Sequence, residues 1–420
     1  MTSTAYGSHV AREQATGTSA AQGGSIVAVT TMVMNVCTYG FTMLAAHLVG
    51  PRQYGAFVAA LNLIIVIQVV ALGLQAAAAR RIATDPGQVG HVQPAIMRLS
   101  WQVSLGVGAV VLALTPVINA LLRLESIAMA LLVAVASVPL TLVGGMLGVL
   151  QGERRWNAVG WIYALGGIPR LTIGLALLAW QPTAMMALLG VTLGYLFPVL
   201  AGWWHLRGSR PEGRPTSVGR VGGLVTETAV NGAALLAFFA LSSVDIIIAR
   251  QVLAPHEAGL YAAGLIVVKA MLFLPQFVVV VAFPEMAKDT TQLRTLYVSI
   301  AALAGIGTLA ALATWLLSGV ALVFAGGQDY AEVQDRLWVF ALLGTVLSML
   351  QLLVYAALAR RGQKSVVLVW LSFAALVVLS PMVDSVDSLV WLVLAVNSAL
   401  LVLLLAAARW SVGRAARLSV

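Results

Sequence analysis

Charge is scarce in this chain: Asp, Glu, Lys and Arg make up 9% of its 420 residues, whereas an ordinary soluble domain carries roughly a quarter. Sixty per cent of the residues are hydrophobic. No stretch between the apolar runs exceeds about 20 residues, which is too short for an independently folded domain with its own core. The sequence therefore describes an integral membrane protein whose work is done inside the bilayer or at its face.

Other absences exclude whole chemistries. The single cysteine, Cys37, cannot form an internal disulfide and reads as a packed core thiol. His9, His47, His91, His205 and His256 are scattered singly, without metal-ligand spacing. There is no Gly-Lys-Ser/Thr loop to cradle ATP phosphates, and Gly106-Val107-Gly108 lies within an apolar run, where it serves packing. No cofactor, metal or catalytic constellation is expected, and the chain is not read as an enzyme. Residues 1–24 are rich in Thr, Ser, Ala and Gly and lack the apolar core and cleavage site of a signal peptide. They are expected to be a disordered cytoplasmic tail.

What the chain has in quantity is apolar runs of membrane-spanning length, about 20 residues each. Twelve are expected. Six lie at 25–49, 54–79, 94–120, 127–150, 157–180 and 184–206, and six at 221–249, 258–283, 293–324, 337–359, 365–383 and 389–408. Between the sixth and seventh falls a segment, 207–220, with Gly208, Pro211, Gly213, Pro215 and four arginines, which reads as a linker. It divides an N-terminal lobe, 25–206, from a C-terminal lobe, 221–409, with a cytoplasmic tail at 410–420.

One phrase occurs twice. Val49-Gly50-Pro51-Arg52-Gln53-Tyr54-Gly55-Ala56-Phe57 and Leu253-Ala254-Pro255-His256-Glu257-Ala258-Gly259-Leu260-Tyr261 both read aliphatic, small, Pro, three mostly polar residues, Gly, any, aromatic. Each stands between two apolar runs, as the corner of a helical hairpin. Repetition at nearly half the chain length implies two related halves. With six spans each, the halves share one orientation and are related by a pseudo-two-fold axis along the membrane normal.

Basic residues favour the cytoplasmic side. With the N-terminus inside, the inside segments hold 18 of the 24 basic residues and the outside loops only Arg52, Arg123, Arg250 and Arg336; Arg170 and Lys269 fall within spans. Both termini are thus expected to be cytoplasmic, in a multi-pass plasma-membrane protein. The outside loops are acidic, with Asp329, Glu332, Asp335, Asp384 and Asp387. Positive charge that is topological in this way argues against a nucleic-acid partner.

Two stretches, LVGPRQYGAFVAALNLIIVIQVVALGLQAAAARRIA and SVDIIIARQVLAPHEAGLYAAGLIVVKAMLFLPQFVVVVAFPEMA, together with twelve runs and a midpoint linker, resemble the polysaccharide-transporter branch of the multidrug/oligosaccharidyl-lipid/polysaccharide flippase superfamily. The second stretch is similar to that family's Asp-containing helix, turn, Gly-Leu-Tyr-Ala and terminal Phe-Pro. The resemblance implies an all-α MATE-like fold in which two six-helix lobes form a V around a central cavity that opens alternately to either side. Members move lipid-linked oligosaccharides, peptidoglycan precursors or drugs. Peptidoglycan-precursor flippases usually carry further C-terminal helices, so twelve runs favour the other cargoes.

Ionisable groups inside apolar spans are costly and mark functional candidates. Arg170 follows Pro169 in the fifth run and shares a face with Tyr163; Lys269 lies near the middle of the eighth, with Tyr261, Leu265 and Gln276 on or near its face. One cation per lobe facing a shared cavity is suited to a diphosphate. The bland alternative for each is an ion pair or carbonyl contact within its own lobe. On the seventh run Glu227, Asn231, Phe238, Ser242 and Asp245 form a stripe. Its two carboxylates would take a coupling ion, or anchor the helix ends at the interface. Asn35, Thr38, Tyr39 and Thr42 on the first run, and Gln68 and Gln75 on the second, suit sugar hydroxyls and equally suit helix–helix hydrogen bonding.

The expected substrate-binding set is therefore Lys269, Arg170, Gln276, Asn35, Gln68 and Gln75, with Asp245 and Glu227 for a coupling ion. Gly144, Gly145 and Gly148 are assigned to packing alone. The expected function is to flip a polyprenyl-diphosphate-linked oligosaccharide to the outer face for surface polysaccharide synthesis. Its partners would be the lipid-linked glycan, membrane lipids and the glycan polymerase or glycosyltransferases. The rivals are a multidrug antiporter of the same fold and a membrane-embedded glycan polymerase or ligase. The longest outer loop, 319–336, is acidic and lacks the basic catalytic set the polymerase reading needs.

Overall fold

The computed structural model describes residues 3–84, 89–208, 235–272, 292–359 and 363–418. The described residues form helices joined by short turns, with no strand among them. In the first half these are α1 (Ser3–Val49), α2 (Pro51–Thr84), α3 (Val89–Ala113), α4 (Thr115–Leu122), α5 (Ile127–Gly152), α6 (Trp156–Trp180), α7 (Ala184–Gly194) and α8 (Leu196–Leu206). In the second half come α9 (Val244–Val252), α10 (Pro255–Met271), α11 (Gln292–Leu316), α12 (Ser318–Ala325), α13 (Leu337–Ala359), α14 (Gln363–Leu379) and α15 (Val386–Leu418), with a 3-10 turn at Gln328–Arg336 before α13. Ten segments among the described residues are long and apolar enough to cross a membrane. The shorter α10 and α14 occupy the places of the eighth and eleventh expected spans.

Several boundaries differ from the sequence expectation. The helix of the first span begins at Ser3, so α1 runs through most of the expected 1–24 tail. These residues contain no proline, and Ala, Glu and Gln favour helix, while their polarity keeps them out of the apolar window that begins at Gly23. At the other end α15 likewise continues to Leu418, through most of the expected 410–420 tail. Cys37 is half-buried where α1 meets α6, not in the core. Glu227, Asn231 and Gln276, and nearly all of the 207–220 linker, lie outside the described residues.

The third span breaks at Leu114 and the ninth at Leu317, positions that correspond to within one residue in the two halves. At the first break Pro116 removes the donor for the carbonyl one turn back. The sixth span breaks at Tyr195, three residues before Pro198, for the same reason.

The pattern of packing repeats as the sequence does. α2 packs on α5 as α10 packs on α13; α3 packs on α5 as α11 packs on α13; α5 meets α7 and α8 as α13 meets α15. The second and fourth spans approach closely because glycines line their contact. A Cβ on Gly144 would meet the Ala71 carbonyl, one on Gly148 the Gln75 carbonyl, and one on Gly152 would come 2.5 Å from Cβ of Ile82. This small-residue stripe at four-residue spacing lets backbones touch where lipid supplies no hydrophobic drive between helices. α2, α5 and α13 are the most enclosed spans, whereas few residues of the α1 apolar window are fully buried. Trp161, Trp180, Trp203, Trp204 and Trp315 are among the exposed residues of the outer surface, as expected of a lipid-facing belt.

The two copies of the repeated phrase are the α1–α2 and α9–α10 corners. Pro51 and Pro255 each open a helix, where the missing N–H has no partner to lose. Gly50 turns the first corner with φ of 73°. Ala254 turns the second in an extended conformation, its N–H donating to the Glu257 carboxylate at 3.2 Å. The corners also touch each other. A Cβ on Gly55 would lie 3.1 Å from the Gly259 nitrogen, and one on Gly259 would land on the Pro51 carbonyl. Both corners thus lie at one end of the molecule, the hairpin end.

Candidate functional site

Of the expected site residues, Arg170, Lys269 and Asp245 are brought together. Arg170 projects from α6, its guanidinium stacked over the Tyr195 ring at 4.7 Å from the centroid and donating through Nη1 to the Thr38 hydroxyl at 3.5 Å. Tyr195 is available there because the sixth span breaks at it. Gly194 lets that break lie against the Arg170 backbone, which would be 3.0 Å from a Cβ at the glycine. The Arg170 Nε is buried and has no hydrogen-bond partner among the described residues. This is a donor held out of water and unsatisfied, which costs free energy until an acceptor arrives.

Lys269, near the end of α10, is the middle member of the group. Its ammonium feels the Asp245 carboxylate of its own half and the Arg170 guanidinium of the other half. Two cations from opposite lobes and one carboxylate leave the group with net positive charge, which attracts an anion, although at Lys269 the pull of Asp245 outweighs the repulsion from Arg170.

Asp245 stands in the first turn of α9 and is 2% exposed. The Ile246 N–H donates to its Oδ1 at 2.8 Å and the Tyr261 hydroxyl to its Oδ2 at 3.0 Å. The offset of 204 residues that relates Pro51 to Pro255 carries Asp245 onto Phe41 and Tyr261 onto Phe57. In the first half those two rings meet edge-to-face with centroids 5.9 Å apart. The same helix pair is therefore closed by an aromatic contact in one lobe and by a hydrogen-bonded carboxylate in the other. Lys269 likewise corresponds to Ile65.

The remaining expected residues are placed more loosely. Gln75 donates to the Tyr163 hydroxyl at 3.3 Å, joining α2 to α6 within the first half. Asn35 and Gln68 are half-buried on α1 and α2. Thr42 is turned back onto the Thr38 carbonyl at 2.9 Å. Sequence reasoning missed Tyr195, whose role depends on a helix break, and the Asp245–Tyr261 bond, whose partners are 16 residues apart across a corner. It also missed Arg250 and Gln251, which reach into the opposite half. Among the described residues no three His, Cys, Asp or Glu side chains converge as a metal site.

No family model matches the chain, and no curated protein is similar enough in sequence to match it. Solved structures do match in fold. A structure described as the inward-facing conformation of a multidrug resistance MATE family transporter of the MOP superfamily aligns with a TM-score of 0.71 at 12% identity, covering 94% of this chain and all of that one. A Vibrio cholerae MATE transporter aligns with a TM-score of 0.62 at 14% identity, covering 94% of this chain and 98% of that one. An outward-facing conformation of a MATE family transporter aligns with a TM-score of 0.55 at 14% identity, covering 93% of this chain and 95% of that one. The chain is thus a multi-pass membrane protein with the MATE transporter fold, and its structural neighbours are transporters of the MOP superfamily.

Proposed function

We propose that this protein is a flippase that carries a polyprenyl-diphosphate-linked oligosaccharide across the plasma membrane by alternating access. The observation that carries this reading is the convergence of Arg170 and Lys269 from opposite halves, with one guanidinium N–H buried and unsatisfied. A diphosphate between the lobes would bridge both cations and accept from Arg170 Nε. The half-buried Asn35, Gln68 and Gln75 would face the sugars, and the lipid tail would remain in the bilayer. Asp245, held beside Lys269, would bind the coupling ion or answer Lys269 when the site is empty. Gln276 and Glu227 keep the roles the sequence suggests for them. The membrane potential is a sufficient drive, since one charge moved through 100 mV is worth about 2.3 kcal/mol.

In this reading the hairpin end is the outer face and both termini are cytoplasmic, as the distribution of basic residues requires. The halves are closed together at the hairpin end, and the fold aligns better with an inward-facing neighbour than with an outward-facing one. Both observations support the same orientation.

A multidrug cation antiporter is the second reading, favoured by the description of the neighbour with the inward-facing fold. A pump for cationic drugs needs carboxylates at its site, and among the described residues the one carboxylate of the group, Asp245, is already opposed by Lys269, which also feels Arg170. Surface glycan and lipid-linked intermediates measured in a deletion strain, beside growth on cationic dyes, separate the two. Accumulated intermediates with unchanged dye tolerance support the flippase; the converse supports the antiporter.

A further inference from the structure

Beside the corner contact, the two halves meet at the hairpin end through two joints that the 204-residue offset relates. In one, the end of α9, Arg250 and Gln251, lies on the end of α4. In the other, the end of α1, Ala46 and His47, lies on the end of α12. There a Cβ on Gly326 would come 3.1 Å from the Ala46 Cβ, and one on Gly327 3.4 Å from the His47 ring. The offset carries Ala46 onto Arg250, His47 onto Gln251, Leu122 onto Gly326 and Arg123 onto Gly327. One docking geometry is therefore used twice, with different chemistry.

The α1–α12 joint is mainly van der Waals contact, with one cross-half hydrogen bond from the Tyr330 hydroxyl to the Ala46 carbonyl at 3.0 Å. The α9–α4 joint is built from polar contacts. Arg123, with φ of 44°, stops α4 in a left-handed turn and leaves its last carbonyls pointing out of the helix. Arg250 Nε donates to the Leu122 carbonyl at 3.0 Å and its guanidinium also reaches the Arg123 carbonyl. Gln251 Nε2 donates to the Ala120 carbonyl at 3.1 Å and also to that of Leu121. A cation from one half thus caps the negative end of a helix in the other, and it does so buried, with Arg250 4% exposed.

The charges around this joint oppose one another. Arg52 and Arg123 lie close enough to act on Arg250, with Glu125 the opposing acid. All three belong to the first half, so separating the halves relieves two repulsions while breaking the carbonyl bonds and one attraction.

We propose that Arg250 and Gln251 form a latch that holds the hairpin-end gate shut, and that the gate opens by releasing the C-terminal carbonyls of α4. The inference rests on the alternating-access reading but not on the cargo. Spin labels on Gln181→Cys and Asp384→Cys, exposed on opposite halves at the hairpin end, report the gate by electron–electron distance measurement in a Cys37→Ser background without cargo. Arg250→Ala is expected to raise the long-distance population roughly tenfold, Gln251→Ala less, and Arg250→Lys partly, because an ammonium cannot span two successive carbonyls as a guanidinium fork does. Glu125→Gln is expected to open the gate, and Arg123→Gln to close it again in the Gln251→Ala background. An unchanged distance distribution in folded Arg250→Ala overturns the latch. Should that variant fail to fold, Gln251→Ala and the opposite responses of Glu125→Gln and Arg123→Gln decide it, and responses of the same sign overturn it. A gate that responds as stated while surface glycan is indifferent to Lys269 and Arg170 refutes the cargo and leaves the latch standing.

Discussion

Tyr261 donates its hydroxyl to Asp245 at 3.0 Å, at the position where the first half presses Phe57 edge-on against Phe41. The two halves keep one backbone arrangement and differ in what fills it. Burying a carboxylate between membrane helices is tolerable only with donors at hand, and Asp245 has two, one from Ile246 and one from Tyr261. Polarity has been placed in the second half at the level where the first half is sealed with rings. Lys269 in the place of Ile65 follows the same rule.

Tyr261→Phe removes one of the two donors and leaves the Asp245 oxygen buried, an expected loss of about 1–3 kcal/mol. Adding Asp245→Phe recreates the first-half pair of rings. The double variant is expected to recover most of the thermal stability in detergent that the single variant loses, while surface glycan falls. Full glycan export by the double variant would remove Asp245 from the mechanism.

Lys269→Ala and Arg170→Ala are each expected to reduce surface glycan by more than about tenfold while the protein stays in the membrane, since a charge-assisted bond is worth roughly 1.5–3 kcal/mol. Arg170→Lys keeps the charge but gives up the planar stacking on Tyr195, so an intermediate defect is expected. Immunoblotting of membranes beside glycan staining checks both quantities. Normal glycan in both alanine variants sinks the diphosphate model.

The fold was legible in the sequence because membrane spans announce themselves by composition, and the repeat by one nine-residue phrase. The corners at Pro51 and Pro255 could be read as corners, since a proline between apolar runs opens a helix. Their contact with each other could not. It depends on Gly55 and Gly259 meeting across 204 residues, and no local pattern distinguishes a glycine that packs from one that only turns. The charged site was half legible for a similar reason. Arg170, Lys269 and Asp245 are visible because charge is rare in such runs. Tyr195 became a partner only through the break at the sixth span, and Arg250 looked like an ordinary loop cation until α4 was seen to end beneath it.

Orientation has its own test. In a Cys37→Ser background, a cysteine replacing Gln328 is expected to react with an impermeant thiol reagent added to whole cells, and one replacing Gly213 only after the membrane is opened. The α12–α13 turn that carries Gln328 lies at the same end as Tyr330, whose hydroxyl reaches the Ala46 carbonyl beside the first corner. Labelling at 328 therefore reports the side on which both corners lie. The reverse pattern would put the closed gate on the cytoplasmic side and turn the proposed transport cycle around.

The two corner glycines should respond unequally to the same added methyl group. A Cβ on Gly55 lies 3.1–3.3 Å from the Gly259 and Ala258 backbone, tight enough to be absorbed by a shift of a few tenths of an ångström. A Cβ on Gly259 falls on the Pro51 carbonyl, which is backbone held by the first turn of α2 and cannot swing aside. Gly259→Ala is thus expected to force the corners apart, at a cost of roughly 1–3 kcal/mol to the closed form, while Gly55→Ala stays near the parent. Gly40→Ala, with nothing within 4 Å of the new atom, is the control. Reactivity of a cysteine at Thr38, beside Arg170, toward the impermeant reagent from outside reads the consequence. It should rise in Gly259→Ala well above the other two. Equal reactivity in all three would mean that the corners are not the closed gate and that the lobes part elsewhere.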